Sequence, residues 1–419
     1  MSSLPMPDRT PDLPLDYPFP RGPLGTPPPL VHWARAHRPV CPVVLPSGTR
    51  AWMITRKDDI AAVLADRRFT RDLTVARRSG EGGGAAPRIV GDDFTSVPGS
   101  IFNVDAPDHT RIRRVIAPYY TRSRIERQRP LVAALVDAAV AAMAERAGSC
   151  DLLEAFAAPL PSRIVCALLD VPPTVREAFV DSFTVHTSFG TDRAVVEAAT
   201  RRTAALARQV VEVRRGLADD PRDDPVGALM SACDHGTVTE EELLGTASFL
   251  MITGAESLVS PLSLGPLTLM RHPAQLRACR ADPRLWSRAA EEVLRYHHNG
   301  VLGLPRIALE DVELHGVTIR RGDAVCATML GATWDPAHYR DPAAFDIHRT
   351  ENADPTFGAG PHYCIGANQA RMILTVAYQR LFDRFGSLEP AVPAGDIPWD
   401  EDSMFIRPAA LPVVWRDGA

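Results

Sequence analysis

Phe357–Gly358–Ala359–Gly360–Pro361–His362–Tyr363–Cys364–Ile365–Gly366 is the stretch of this 419-residue chain that decides its fold. Its three glycines let the backbone turn sharply and approach a flat group closely. Cys364 comes just before a predicted helix from Gly366 to Phe385, and the positive end of a helix dipole favours a thiolate. Phe357 can shield a sulfur from water, and His362 can face an anion. A buried structural cysteine beside a glycine turn is the alternative that a lone cysteine would favour.

The composition is that of an ordinary globular protein, with 45% hydrophobic and 23% charged residues. The formal net charge of −5 does not indicate a nucleic-acid-binding surface, and no nucleic-acid partner is expected. No two of the seven cysteines have the Cys-x-x-Cys spacing that is typical of zinc and iron–sulfur sites. Apart from Cys364, they are expected to be buried, reduced and apolar in character. They are Cys41, Cys150, Cys166, Cys233, Cys279 and Cys326.

No run of 18 or more apolar residues occurs, so no transmembrane helix is expected. Residues 1–30 are rich in proline and lack the apolar core of a signal peptide, which predicts an extended segment wrapped on the protein body. A cytoplasmic location is the expectation. The patch Gly80–Gly84 lacks the Gly-Lys-Ser/Thr ending of a phosphate-binding loop and is interpreted as a surface loop.

Helical patterns dominate and small strands accompany them, so the fold class is mainly α with small β-sheets in a single domain spanning 1–419. Pro130 is predicted to open a helix that ends at Gly148. Capping boxes are predicted at Thr174 with Glu177 and at Thr239 with Glu242. The second of these precedes Leu243–Met270, which is apolar on nearly every side and is predicted to be a long central helix. The remaining elements are a helix at Ser287–Tyr296, a hairpin at Val312–Ile319 and a strand at Leu411–Trp415.

The cysteine stretch resembles the haem-binding loop of the cytochrome P-450 family, Phe-Gly-x-Gly-x-His-x-Cys-x-Gly, and fills every fixed position. The resemblance implies the cytochrome P-450 fold, with haem sandwiched between a long central helix and the cysteine-loop helix. It makes Cys364 the ligand of the haem iron. It also implies haem-binding roles for the loop residues Phe357, Gly358, His362 and Gly366.

Two further segments carry the same resemblance. Glu292 and Arg295 form the family's Glu-x-x-Arg pair on one helical face, and Arg349 lies in a segment similar to the one that completes this ion network. These three residues are expected to serve folding and haem retention. His109 and Arg113 are four residues apart, and the resemblance makes them propionate ligands with Arg306 and His362.

The central run contains Thr253–Gly254–Ala255–Glu256–Ser257, where the family usually has Ala/Gly-Gly-x-Asp/Glu-Thr. The resemblance assigns Thr253, Gly254, Glu256 and Ser257 to the oxygen site, where the glycine makes room and the acid and alcohol deliver protons. Serine keeps the hydroxyl but lacks one methyl group. Pro261 cannot donate to the carbonyl of Ser257, which predicts a kink that opens this carbonyl to water or substrate. A simple bend around the core is the alternative.

The resemblance implies an enzyme that activates O2 and oxidises a small substrate, using electrons from NAD(P)H through ferredoxin and ferredoxin reductase. Gly300–Arg306 lacks the proline usual after the Glu-x-x-Arg helix and is similar to macrolide hydroxylases and to mycocyclosin synthase. The expected substrate is therefore a specialised metabolite. It is either a cyclodipeptide, which would undergo hydroxylation or radical coupling, or a macrolide. A non-catalytic haem carrier or sensor and a haem-free protein are the alternatives, and a monomer is expected. The expected pocket walls are Val90, Phe94, Ile252, Thr253, Val301, Leu302 and Phe405.

Overall fold

The computed structural model describes residues 11–72, 97–180, 193–217, 223–298, 300–351 and 355–416. Helices make up most of these residues. They are α1 Pro29–His37, α2 Lys57–Ala65, α3 Asp108–Ile116, α4 Arg122–Ala144, α5 Pro159–Leu168, α6 Pro173–Val180, α7 Arg193–Arg215, α8 Pro225–Asp234, α9 Glu240–Glu256, α10 Val259–Arg271, α11 Pro273–Ala281, α12 Leu285–Tyr296, α13 Met329–Thr333 and α14 Ala367–Arg384. The expectation of a mainly helical protein is confirmed.

The strands form small sheets beside the helices. They are β1 Leu15–Asp16, β2 Val40–Val44, β3 Arg50–Ile54, β4 Phe69–Thr70, β5 Ser149–Asp151, β6 Leu304–Ala308, β7 Val312–Leu314, β8 Val317–Ile319, β9 Ala324–Ala327, β10 Glu389–Pro390 and β11 Pro412–Val414. One sheet has the order β1-β2-β3-β9-β6-β4 and another the order β10-β11-β5. The predicted hairpin is β7–β8, and its turn uses the positive φ angles of His315 and Gly316 (50° and 74°).

The helix pair α9 and α10 crosses the middle of the molecule. The capping box at the start of α9 is confirmed, because Glu242 N–H donates to Thr239 Oγ1 (3.2 Å) and Thr239 N–H donates to the Glu242 carboxylate (2.8 Å). At Gly245 an added Cβ would lie 2.0 Å from the carbonyl oxygen of Pro98, so only glycine allows this close approach. Together, Glu240–Arg271 is long and apolar enough to cross a membrane, but 78% of its most apolar window is buried within the protein.

Two helix starts differ from the sequence predictions. Helix α4 begins at Arg122, eight residues before Pro130, so this proline lies inside the helix and only the bond to the Glu126 carbonyl is lost. Helix α6 begins at Pro173, which places Thr174 inside the first turn and not at a capping position. In both cases, residues upstream of the expected start continue the helix. Gly80–Gly84 lies outside the described residues.

Candidate active site

A tightly turned loop holds Cys364 just before the N-terminus of a helix. Its backbone N–H donates to the carbonyl of Phe357 (2.9 Å), and α14 begins three residues later. Gly358 and Gly360 have φ angles of +77° and +68°, which residues with a side chain rarely adopt. At Gly360 a Cβ would also lie 2.6 Å from the carbonyl oxygen of Leu64, so the loop can press against α2 only with glycine here.

Among the seven cysteines, Cys364 is the exposed one. Cys41, Cys166, Cys279 and Cys326 are buried as expected, whereas Cys150 and Cys233 are only partly buried. Burial raises the pKa of Cys41, Cys166 and Cys279 to about 11, so these thiols stay protonated at neutral pH. Cys364 alone therefore combines accessibility with the neighbouring start of a helix.

A cavity of about 360 Å³ lies between α9 and the cysteine loop, and Cys364 is part of its wall. Thr253, Leu302 and Phe405 line it as predicted. Ile252 and Val301 do not. Ile252 packs among the helices on the other side of α9, and the Val301 backbone is used in bonds to Met404 (N–H to O, 3.1 Å) and to the Tyr17 hydroxyl. Val90 and Phe94 lie outside the described residues.

Aromatic and polar residues that sequence reasoning missed also line the cavity. Phe102 and Phe249 stack with their ring centroids 4.8 Å apart, and the guanidinium of the buried Arg71 lies 3.9 Å from the Phe102 ring centroid. The unpredicted lining residues also include Tyr120, His298 and the apolar Met404. The sequence carried no signal for them, because they come from separate segments and show no periodic pattern.

The residues expected at the propionates meet on one wall. His109 and Arg113 of α3 and His362 of the cysteine loop line the cavity, and the two imidazole centroids are 4.1 Å apart. Arg113 Nη2 donates to the carbonyl of Tyr363 (2.7 Å), which ties α3 to the cysteine loop. Arg306 is buried behind the wall and contributes its charge to the electrostatics of both histidines.

This wall combines two arginines and two histidines with one carboxylate, since Asp105 Oδ1 lies 3.5 Å from His362 Nε2. Burial lowers the pKa of Arg306 to about 10 and lowers that of Arg113 as well, but both side chains stay charged at neutral pH. Burial also lowers the pKa of His109 to about 4, so that imidazole is a neutral donor or acceptor. Buried cations require anionic partners, and the dicarboxylate edge of a haem fits this wall.

The residues predicted for the oxygen site lie in two different environments, the cavity lining and the protein interior. Thr253, Gly254 and Ser257 line the cavity, and the Thr253 and Ser257 hydroxyls each donate to the carbonyl four residues earlier at 2.7 Å. A Cβ at Gly254 would lie 2.8 Å from a methyl group of Val165 in α5. The glycine thus also allows close packing against α5, and its role in making room for oxygen stays a prediction.

Glu256 faces away from the cavity lining and is buried against Arg407. Arg407 Nη1 lies 3.3 Å from Glu256 Oε2, and Arg407 Nε lies 3.0 Å from Oδ2 of the partly exposed Asp400. Both Arg407 and Glu256 are buried, so their attraction is weakly screened. Nothing in the sequence pattern pointed to Arg407, because the segment that carries it lies 151 residues downstream.

The central helix is interrupted at this site, as the proline predicted. Helix α9 ends at Glu256, Ser257 and Leu258 form a turn, and α10 begins at Val259. The Pro261 carbonyl accepts a hydrogen bond from the Tyr378 hydroxyl of α14 at 2.7 Å. The interruption of the helix is confirmed, whereas a kink at this point and access of water or substrate to the Ser257 carbonyl stay predictions.

The Glu-x-x-Arg pair forms a buried ion network outside the cavity lining. Arg295 Nε and Nη2 donate to the two Glu292 oxygens at 2.7 Å each, and Arg349 Nε lies 3.3 Å from Glu292 Oε2. Arg295 also donates to the carbonyls of Thr333, Pro342 and Ala344. The network thereby joins α12 to the segment that leads to the cysteine loop.

Comparison with known proteins agrees with this arrangement. Residues 174–411 match the family model described as Cytochrome P450. The chain belongs to the cytochrome P450 family. Its fold is the cytochrome P450 fold, and it is an enzyme of the monooxygenase type, so the haem-free and non-catalytic alternatives are wrong.

Several relatives match this cytochrome P450 along nearly its whole length. Nocardicin C N-oxygenase of Nocardia uniformis subsp. tsuyamanensis is 34% identical and covers 91% of this chain and 94% of its own. Mycinamicin IV hydroxylase/epoxidase of Micromonospora griseorubida is 35% identical and covers 90% and 92%. The crystal structure of cytochrome P450mel 107F1, which has biaryl coupling reactivity, superposes with a TM-score of 0.84 at 32% identity, covering 93% and 96%.

Proposed function

We propose that this cytochrome P450 binds haem b with Cys364 as the iron ligand and oxidises a small specialised metabolite. The observation that carries this proposal is the placement of Cys364, exposed to the cavity in a loop fixed by two positive-φ glycines and followed by α14. In hydroxylation, one oxygen atom of O2 enters a substrate C–H bond. The other leaves as water after uptake of two electrons and two protons.

Several side chains are placed to hold the cofactor. Haem supplies O2 activation when bound, at an iron made electron-rich by its thiolate ligand. We assign the two propionates to His109, Arg113 and His362 on the basic wall, with Arg306 buried behind it. Phe357, Gly358 and Gly366 would contact the ring from the cysteine loop, since they line the cavity beside Cys364.

The residues of the interrupted helix would handle protons. Thr253, Gly254 and Ser257 line the cavity, and Glu256 is the adjacent carboxylate. Arg407 holds Glu256 through a buried charged hydrogen bond, while Asp400 connects the same arginine to the protein surface. The proposed proton path therefore starts on the Arg407 side of Glu256, passes through the Glu256 carboxylate and ends at the Ser257 hydroxyl.

Replacing Glu256 by glutamine is expected to lower product formation by about 10²-fold, because the amide cannot shuttle a proton. NADPH consumption is expected to continue, with electrons lost to hydrogen peroxide. The measurement is product formed per NADPH oxidised. Glu126→Gln, at an exposed carboxylate of helix α4 far from this path in the sequence, is the control that should leave the yield unchanged. An unchanged yield in Glu256→Gln would remove Glu256 from the proton path.

For the substrate, we propose a cyclodipeptide first, oxidised by hydroxylation or by radical coupling. Serine at the alcohol position and the Gly300–Arg306 stretch support it, and a relative with biaryl coupling reactivity supports the coupling mode. A macrolide is the second candidate, supported by the similarity to mycinamicin IV hydroxylase/epoxidase.

We propose ferredoxin and ferredoxin reductase as the electron donors, because cytochromes P450 of this bacterial type generally use them. We also propose that residues 1–419 form one domain that acts as a monomer in the cytoplasm. Size-exclusion chromatography and reconstitution with surrogate redox proteins and NADPH test these points together.

Optical titration of the haem-loaded enzyme tests the substrate proposal. A substrate that displaces the water on ferric iron shifts the Soret band to shorter wavelength. We expect a cyclodipeptide with two aromatic side chains to give this shift at micromolar concentration and to be consumed during turnover. A shift and turnover with a macrolide alone would favour the second candidate.

A further inference from the structure

His298 is a buried cavity residue to which the proposed mechanism gives no role. His298 follows α12, is only 7% exposed and lines the cavity. Its Nδ1 atom is buried and has no hydrogen-bond partner among the residues that the structure describes. Burial lowers the pKa of His298 to about 4, so the ring is neutral at pH 7 and offers one donor and one acceptor.

The preceding histidine shows the contrast. His297 Nε2 lies 2.5 Å from the Thr268 hydroxyl, and its Nδ1 lies 3.4 Å from the carbonyl of Gly25. Both ring nitrogens of His297 thus have partners within the protein, which accounts for its burial. A buried polar atom with no partner costs about 1–3 kcal/mol, and His298 Nδ1 is such an atom among the described residues.

His298 lies apart from the wall assigned to the propionates. The pKa values of His109 and His362 are lowered by burial and further by nearby arginines, including Arg306. His298 comes instead from the segment that follows α12, where Gly300 is its neighbour.

The surroundings of His298 belong to the substrate side of the cavity. A Cβ on Gly300 would lie 3.5 Å from His298 Nε2. Gly300 forms a β-bridge with Phe405, and Gly300, Phe405 and Met404 all line the cavity. The Tyr17 hydroxyl donates to the Val301 carbonyl, so the loop that follows His298 is anchored.

We propose that His298 is a substrate anchor that hydrogen-bonds a neutral polar group, a hydroxyl or an amide N–H, of an otherwise apolar substrate. This inference deepens the proposed function and rests on it. The apolar wall of Leu302, Phe405 and Met404 would hold the rest of the substrate. His298 is thereby a specificity-determining residue in the segment that lacks the usual proline.

The test uses 4-phenylimidazole and its three hydroxyphenyl isomers as probes, because an azole nitrogen binds ferric iron and fixes the ring in the cavity. Dissociation constants are measured from the Soret shift for the haem-loaded wild type, His298→Leu, His298→Gln and the shape control Phe405→Leu. We expect at least one hydroxyl isomer to bind the wild type about fivefold to tenfold more tightly than the parent. This gain should vanish in His298→Leu, survive in part in His298→Gln and persist in Phe405→Leu.

An equal hydroxyl gain in the wild type and in His298→Leu, or no gain with any isomer, would overturn the inference. Parent 4-phenylimidazole reports on the fold of each variant, since it cannot use the anchor. Should the wild type supplied with haem show no Soret band at all, the haem-binding proposal itself would fail. The two failures are thus distinguishable.

Discussion

Glu292→Gln is expected to destabilise the protein by about 3–5 kcal/mol and to prevent stable haem retention. The carboxylate is buried and accepts hydrogen bonds from Arg295 at 2.7 Å, with Arg349 at 3.3 Å. Removing its charge would leave the buried Arg295 guanidinium without its counter-ion and Arg349 with Glu351 alone at 3.5 Å, which is costly in a poorly solvated interior. Since this network joins α12 to the chain leading to the cysteine loop, its loss should loosen that loop.

The chain contains a matched control for this prediction. Glu126 and Arg129 are also three residues apart on a helix and are joined at 2.8 Å, but their side chains are 48% and 40% exposed. Glu126→Gln should therefore cost less than about 1 kcal/mol. Urea unfolding and the haem-to-protein absorbance ratio measure both variants. Equal losses in the two variants would show that burial of the Glu292 network does not determine its contribution.

The features predicted well from the sequence are those set by local chemistry. The capping box at Thr239, the turn at His315–Gly316 and the break before Pro261 each follow from residues within a few positions of one another. Such signals do not depend on the rest of the fold. The motif residues around Cys364 also lie close together in the structure, because most of them belong to one contiguous loop.

The features missed depend on packing between distant segments. Ile252 adjoins the cavity residue Thr253, but successive helix residues point about 100° apart, so it faces another helix. Arg407 reaches Glu256 only through the folding of the C-terminal segment. Pro130 resembled a helix start, yet packing of α4 against its neighbours tolerates one lost hydrogen bond. None of these outcomes could be predicted from the periodicity of hydrophobic residues in the sequence.

Cys364→Ser is expected to abolish turnover. A serine hydroxyl is protonated at neutral pH and is a far weaker donor to iron than a thiolate, so the electron density that favours O–O cleavage would be lost. The substitution leaves the basic wall and the Glu292 network in place, and haem can still occupy the cavity. Cys233→Ser, at a partly buried cysteine outside the cavity lining, is the control that should retain full activity.

The absorption spectrum of the ferrous carbon monoxide complex tests the assignment of Cys364 most directly. An anionic sulfur ligand shifts the Soret band of this complex strongly to the red. We expect the red-shifted band in the wild type and in Cys233→Ser and expect it to be absent from haem-loaded Cys364→Ser. A wild-type spectrum without the band, or an unchanged band in Cys364→Ser, would contradict the account.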